Sequence, residues 1–318
     1  MNTISIEAIE AARRRIAGPV VRTPLLKLEG ISPDRELYLK LENLQPINSF
    51  KLRGALNAVA MLLPEQRAYG VWTASAGNAG QGLAYAARMI GVPCRVVAPE
   101  TAPETKIARM RALGAEVLKV PFDSWWEAMD RRAFPGVEGT FVHPFDNDDF
   151  IAGNATIGLE IVEDLPQVQT VIAPIGGGGL LTGVASGVRA RKPNAGIYSA
   201  EPETAAPFAF SLEQGKASAF PRWKASFVDG AGGKSLFPQM WGRLRPIVDG
   251  ALVVTLDETS RAMRLLAEKT RVIAEGAGGL AVAAALWKLG KEEAKGPIVA
   301  IVSGGNIDLA TFCEVTHR

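Results

Sequence analysis

From Gly70 onward the chain alternates between two hydrophobic patterns. Short runs of mostly apolar or β-branched residues, "GVWTAS", "CRVVAP" and "AEVLKV", each precede a longer alanine-rich helical stretch, "GQGLAYAARMIG", "TKIARMRALG" and "SWWEAMDRRAF". That alternation predicts a parallel sheet with helices on both faces. A second series opens at "TVIAPI" (Thr170 to Ile175) and continues through "GIYSAEP", "ALVVTL" and "PIVAIVS", with helices between, including "GGLAVAAALWKLG". The expected fold class is therefore α/β, with two open, twisted, mostly parallel sheets.

Between the two series lies "VHPFDNDDFIAGN" (Val142 to Asn154), rich in Pro, Asp, Asn and Gly, which predicts a hinge. The segment Pro207 to Trp241 is less periodic and rich in aromatic residues, and reads as an excursion on one domain. A chain of 318 residues exceeds what one hydrophobic core usually supports, so two domains are expected.

Composition narrows the function classes. Lys and Arg number 35 against 33 Asp and Glu, so no charge excess points to nucleic acid or an anionic membrane. Cys94 and Cys313 lack metal-ligand spacing, and two histidines cannot supply a His-based metal site alone. The start, "MNTISIEAIEAARRRIAG", carries Glu7 and Glu10 and no continuous apolar stretch, so it does not read as a signal peptide. Later apolar runs are broken by charge, Gly or Pro within about 18 residues, so no membrane span is expected. A cytoplasmic protein is the expectation.

Three places repeat one arrangement of apolar strand, small-residue turn and helical continuation: "TASAGNAGQG", "APIGGGGLLTG" and "AIVSGGNIDLA". In open α/β sheets ligands sit beyond the carboxyl ends of strands, where helix N-termini offer unpaired N–H groups. In Gly176-Gly177-Gly178-Gly179 four residues without Cβ let successive N–H groups converge on a phosphate. Neither a phosphate-loop Gly-Lys-Ser/Thr nor the full dinucleotide pattern is present. Ser75 and Asn78 suit a carboxylate or a cofactor hydroxyl, or equally an N-cap for the next helix. Ser303 ends a buried strand, where a cap or turn role is the alternative.

A fourth feature is the lysine in "PINSFKLRGA", where a turn runs into an apolar, alanine-rich segment. Lys51 there is either a snorkelling side chain or a reactive amine. Together with the three turns it makes the sequence resemble the fold-type II pyridoxal-phosphate enzymes, most closely the threonine dehydratase and serine racemase group. The resemblance runs through "RTPLLKL", "LKLENLQPINSFKLRGALNA", "TASAGNAGQG", "VHPFD", "IGGGGLLTG", "AEGAGGLAVAAAL" and "VSGGNIDL", in order.

The resemblance implies a tryptophan synthase β-like fold. Residues 1–72 and 148–318 would form a large cofactor-binding domain, and 73–147 a small mobile domain closing over the substrate. It implies pyridoxal 5'-phosphate as cofactor, with Lys51 as the Schiff-base lysine and Phe50 near the ring. Gly176, Gly177, Gly178 and Gly179 would hold the phosphate, Asn78 the ring hydroxyl, and Ser303 would face the pyridine nitrogen. Ser75, Ala76, Gly77, Asn78 and Ala79 would meet the substrate carboxylate at a helix start. The implied activity is dehydration of a β-hydroxy-α-amino acid to a 2-oxo acid and ammonia, by a homodimer acting on a small molecule.

The sequence departs from that family in ways that bear on the activity. Ala76 stands where serine racemases have a serine serving the opposite face of the substrate, which favours elimination over racemisation. Ala79 replaces the usual histidine after the asparagine, and the usual "GQGT" segment is Gly153-Asn154-Ala155-Thr156. Glu201 and the Ala205 carbonyl remain as cation ligands, but Pro207 stands where a carboxylate is expected, so no metal requirement is expected. The sequence ends at Arg318, which predicts no regulatory domain and no isoleucine feedback. Trp125, Trp126, Phe220, Trp223, Phe227, Phe237 and Trp241 are either walls for an aryl substrate such as phenylserine or core and interface aromatics. Racemisation, β-replacement, a silent cofactor-binding role and a nicotinamide oxidoreductase are the competing readings.

Overall fold

The computed structural model describes residues 3–31, 35–292, 294 and 296–317. Its strands are β1 Leu25–Lys27, β2 Leu37–Lys40, β3 Val71–Ala74, β4 Cys94–Pro99, β5 Glu116–Val120, β6 Thr140–Phe141, β7 Thr170–Pro174, β8 Gly196–Pro202, β9 Gly250–Val254 and β10 Ile298–Ile301. The helices are α1 Ile6–Ile16, α2 Lys51–Ala60, α3 Pro64–Tyr69, α4 Asn78–Ile90, α5 Glu104–Ala112, α6 Phe122–Arg131 and α7 Asp148–Asp164. They continue with α8 Gly179–Arg189, α9 Pro207–Gln214, α10 Pro238–Leu244, α11 Leu256–Thr270, α12 Gly276–Trp287 and α13 Leu309–Thr316.

The strands form two sheets, of order β1-β2-β10-β7-β8-β9 and β5-β4-β3-β6. Every pairing is parallel except that of β1 with β2. Both sheets are covered on both faces, which is why their central strands are apolar at successive positions rather than alternating. In the larger sheet Val171, Ala173, Val299 and Ile301 point into one apolar cluster with Leu181 and Val184 of α8. Their neighbours Ile172, Ile298 and Ala300 point into another with Leu280 and Ala284 of α12. The smaller sheet repeats the arrangement, with Val71, Val96 and Ala98 on one side and Trp72, Ala74 and Val97 on the other. The mostly parallel two-sheet α/β fold expected from the sequence is the one observed.

The stretch 142–154 is a connection only as far as Asn147; from Asp148 it is the first turns of α7. Asn147 caps that helix by accepting from the Phe150 N–H at 2.8 Å, and Asp148 and Asp149 sit where the positive end of the helix dipole favours acidic groups. The expected junction between residues 72 and 73 falls within β3, and the one between 147 and 148 falls at the start of α7. Among the described residues no helix is long and apolar enough to cross a membrane.

Candidate active-site cleft

The parallel order of the strands sends the turns after β3, β7 and β10 to carboxyl ends that face one cleft, of about 250 Å³. Phe50, Lys51, Ser75, Ala76, Gly77, Asn78, Ala79, Gly176, Gly177, Gly178, Gly179 and Ser303 all line it. Residues more than 250 positions apart in the sequence are thus brought together by sheet topology. The Phe50 N–H donates to the Ser303 carbonyl at 3.0 Å, tying the start of α2 directly to the end of β10.

Lys51 is the first residue of α2. Its Nζ donates to the Pro144 carbonyl at 2.6 Å and lies 5.1 Å and 5.3 Å from the ring centres of Phe50 and Phe150. Among the described residues no carboxylate pairs with it, and burial pushes its pKa down from 10.5 to about 7. An amine so placed is substantially neutral near physiological pH and is a competent nucleophile and base.

The position of α2 is fixed by buried charges two residues further on. Arg53 is 1% exposed and grips Glu42 and Glu160 with paired bonds of 2.7 and 2.8 Å and of 2.6 and 2.9 Å. Lys40, also buried, donates to Glu160 at 2.6 Å and to the Thr23 carbonyl at 2.8 Å. Burial by itself raises the Glu42 pKa, but the adjacent guanidinium and its hydrogen bonds more than offset it, and the carboxyl lies below its ordinary range. The network joins α2, β2 and α7 around a neutral total charge. Nothing in the alternation of apolar and polar positions marks it, because a charged residue in an apolar run reads as a surface position.

On the opposite side, α8 begins at Gly179 with Gly178 as its N-cap at φ +96°, a conformation that L side chains rarely adopt. Phe145 packs so closely on the loop that a Cβ at Gly177 would meet its ring, and one at Gly179 would meet its backbone. The loop is therefore a cradle with no room for side chains, and the first N–H groups of α8 have no partner within the helix. Such a site takes an anion.

The third wall is the Ser75–Ala79 turn. The Ser75 hydroxyl accepts from the N–H groups of Gly77 and Gly80 at 3.2 and 3.1 Å, so it caps the start of α4 and still has its own O–H to donate. The Asn78 amide donates through Nδ2 to Glu275 at 2.7 Å and accepts at Oδ1 from Asn306 Nδ2 at 2.8 Å. These two partners fix which way the amide points, leaving its second N–H free. Glu275 is 3% exposed, and burial, reinforced by Asp229, pushes its pKa up from 4.5 to about 7. Lys106 of α5 also lines the cleft and pairs with Asp229, joining the two sheets' elements across it. Glu275, Lys106 and Asp229 were not signalled by the sequence; only "AEGAGG", a carboxylate opening a glycine-rich apolar helix, hinted at the first.

Other sequence candidates lie elsewhere. Both Glu201 carboxylate oxygens accept from the first turn of α9, from the N–H groups of Phe208 and Ala209 at 2.8 Å each. Burial pushes Glu201 up to about 8. Among the described residues no group of three or more His, Cys, Asp or Glu is arranged to hold a metal ion. Of the aromatic candidates, Trp125, Trp126 and Phe237 line the cleft, whereas Phe220, Trp223, Phe227 and Trp241 do not.

Comparison with known proteins bears on the same cleft. A family model described as "Pyridoxal-phosphate dependent enzyme" matches residues 16–304. An L-threonine ammonia-lyase of Thermotoga maritima is 41% identical over 99% of this chain and 79% of its own length. Human serine racemase is 36% identical over 97% of this chain and 93% of its own. The solved structure of maize serine racemase superposes with a TM-score of 0.90 at 32% identity, over 99% of this chain and 97% of that one.

Proposed function

The chain belongs to the family of pyridoxal-phosphate-dependent enzymes, and from that premise we propose that it is a dehydratase of threonine- or serine-type β-hydroxy-α-amino acids. The enzyme is a pyridoxal-phosphate-dependent lyase. What supports the finer reading is one observation: a partly deprotonated lysine, a side-chain-free anion cradle and a neutral hydroxyl converge on a single cleft.

The residues present fit the cofactor. The glycine loop with its φ of +96° and the open end of α8 suit the phosphate, and Lys51 lines the same cleft. When bound, the cofactor draws electrons from the carbon bearing the amino group and so eases loss of its proton. Ser303 would meet the ring nitrogen with a hydroxyl, a milder support for an electron sink than a carboxylate would give. Asn78, its amide held by Glu275 and Asn306, would offer its remaining N–H to the ring hydroxyl.

The chain's own groups then act as follows. The Ser75 O–H and the backbone N–H groups at the start of α4 bind the substrate carboxylate, with the Lys106 ammonium adding positive charge nearby. Lys51 Nζ takes the α-proton, a task suited to an amine whose pKa lies near 7. The β-hydroxyl leaves on the adjacent carbon, so that loss of water and uptake of water give a 2-oxo acid and ammonia. With Ala76 on the far side of the substrate no hydroxyl there returns a proton, which supports elimination over racemisation. The four-stranded unit is the body that closes over the amino acid to exclude water, and the active species is a dimer.

Purified, cofactor-loaded protein supplied with L-threonine and L-serine tests this directly. Equimolar 2-oxo acid and ammonia is the expected result. Intact cofactor binding with no release, or accumulation of D-serine instead, overturns it.

A further inference from the structure

The lining of the cleft combines polar groups with a contiguous run of aromatic rings, and the rings have no use in handling a hydroxymethyl or hydroxyethyl side chain. Ser75, Asn78, Lys106 and Asp229 are the polar groups. Phe145, Phe237, Trp126 and Trp125 line the same cleft as a contiguous run, each against the next, with ring centres 5.4, 5.6 and 6.1 Å apart. Met129 backs them in the lining. All four rings are only half-buried.

Two features connect this wall, which packs against the core on its far side, to the reacting centre. Phe145 rests on the glycine cradle, and it follows Pro144, whose carbonyl accepts from Lys51 Nζ at 2.6 Å. The wall also has contributions from both sheets' surroundings, with Trp125 and Trp126 on α6 and Phe237 capping α10. An amino acid with its carboxylate at the Ser75–Ala79 turn and its α-carbon at Lys51 would have these rings in the same cleft, available to its β-substituent. Partly exposed aromatic rings concentrated in a concave site are the mark of an apolar ligand group, and flat rings suit a flat partner.

We propose that the substrate carries an aromatic ring on its β-carbon, so that the enzyme acts on 3-aryl-3-hydroxy-2-amino acids. The inference rests on the dehydratase reading and specifies its substrate class. For threo-3-phenylserine the α-proton and the β-hydroxyl are lost as water, and hydrolysis returns one water, giving phenylpyruvate and ammonia with no change of oxidation state overall. No external oxidant or reductant is required.

Two measurements made together test it: 2-oxo acid release from threo-3-phenylserine, L-threonine and L-serine, and tryptophan fluorescence on titration with L-phenylalanine, which carries the ring but no leaving group. The expected result is a kcat/KM for phenylserine about tenfold or more above that for threonine, with fluorescence altered by L-phenylalanine. Trp126→Ala should cut the phenylserine-to-threonine ratio about tenfold, and Phe237→Leu serves as the second variant if the first does not fold. Release from threonine or serine but not phenylserine, without an effect of L-phenylalanine, overturns the aryl inference and leaves the dehydratase reading standing. A fluorescence response with no release from any substrate supports the aromatic wall and overturns elimination. Silence in both overturns both.

Discussion

Replacing Arg53 by methionine removes the one side chain that holds two buried carboxylates apart and in place. At an effective dielectric near 20, each close Arg–Glu pair is worth about 4 kcal/mol, and Arg53 makes two. Methionine spares the cost of desolvating a guanidinium, so the net loss is smaller, about 3–5 kcal/mol for a buried pair broken from one side. Set against a typical total of about 5–15 kcal/mol, that is a large share of the stability margin. Lys40 remains against Glu42 and Glu160, leaving one uncompensated negative charge in a site with almost no solvent. Urea denaturation followed by circular dichroism should show a lower midpoint, and adding Glu42→Gln should recover part of the loss by restoring neutrality. The acid limb of stability carries a second signature. Glu42 has a folded-state pKa below its ordinary 4.5, so its contribution is present above that pH and is lost as pH falls through the lower folded value. That acid-side loss should be weaker in Arg53→Met. A decrease below about 1 kcal/mol, the range of exposed pairs, or a double variant no better than the single, would refute the reasoning.

Further outcomes follow from the cleft itself. The rate at which apo-protein captures pyridoxal phosphate should rise as pH increases through about 7, because the neutral form of Lys51 is the nucleophile and burial has lowered its pKa to that value; stopped-flow absorbance would show it, and a profile rising only near 10 would contradict it. Gly178→Ala forces a side chain into φ +96° at the cradle and should weaken cofactor affinity by about tenfold or more, read by equilibrium dialysis, for a strain of about 1–3 kcal/mol. Activity should survive EDTA without magnesium rescue, since both Glu201 oxygens are committed to helix α9; loss restored by magnesium would show a cation site.

How much of this was legible in the sequence depended on the kind of signal. The parallel strands announced themselves because both faces of each sheet are covered, which makes β7 and β10 continuous apolar runs. The glycine quartet was legible because Gly178 sits at φ +96° and its neighbours Gly177 and Gly179 pack under Phe145, which tolerates little else. Lys51 stood out as a charge opening an apolar helix. Arg53, Lys40, Glu42 and Glu160 did not, because burial of a charge is decided by partners up to 120 residues away. The same holds for Glu275, which orients Asn78 from 197 residues further along the chain. The start of α7 was read as a hinge because Asn147, Asp148 and Asp149 serve equally in a loop and in a helix cap; only the Phe150 N–H bond decides between them.

The account stands on Lys51 as the residue that holds the cofactor. Borohydride reduction of the holoenzyme, followed by peptide mapping, tests that most directly, because two lysines line the cleft. The account predicts the pyridoxyl mass on the peptide carrying Lys51, and no label in Lys51→Ala. Label on Lys106, or on no lysine of the cleft, would contradict it.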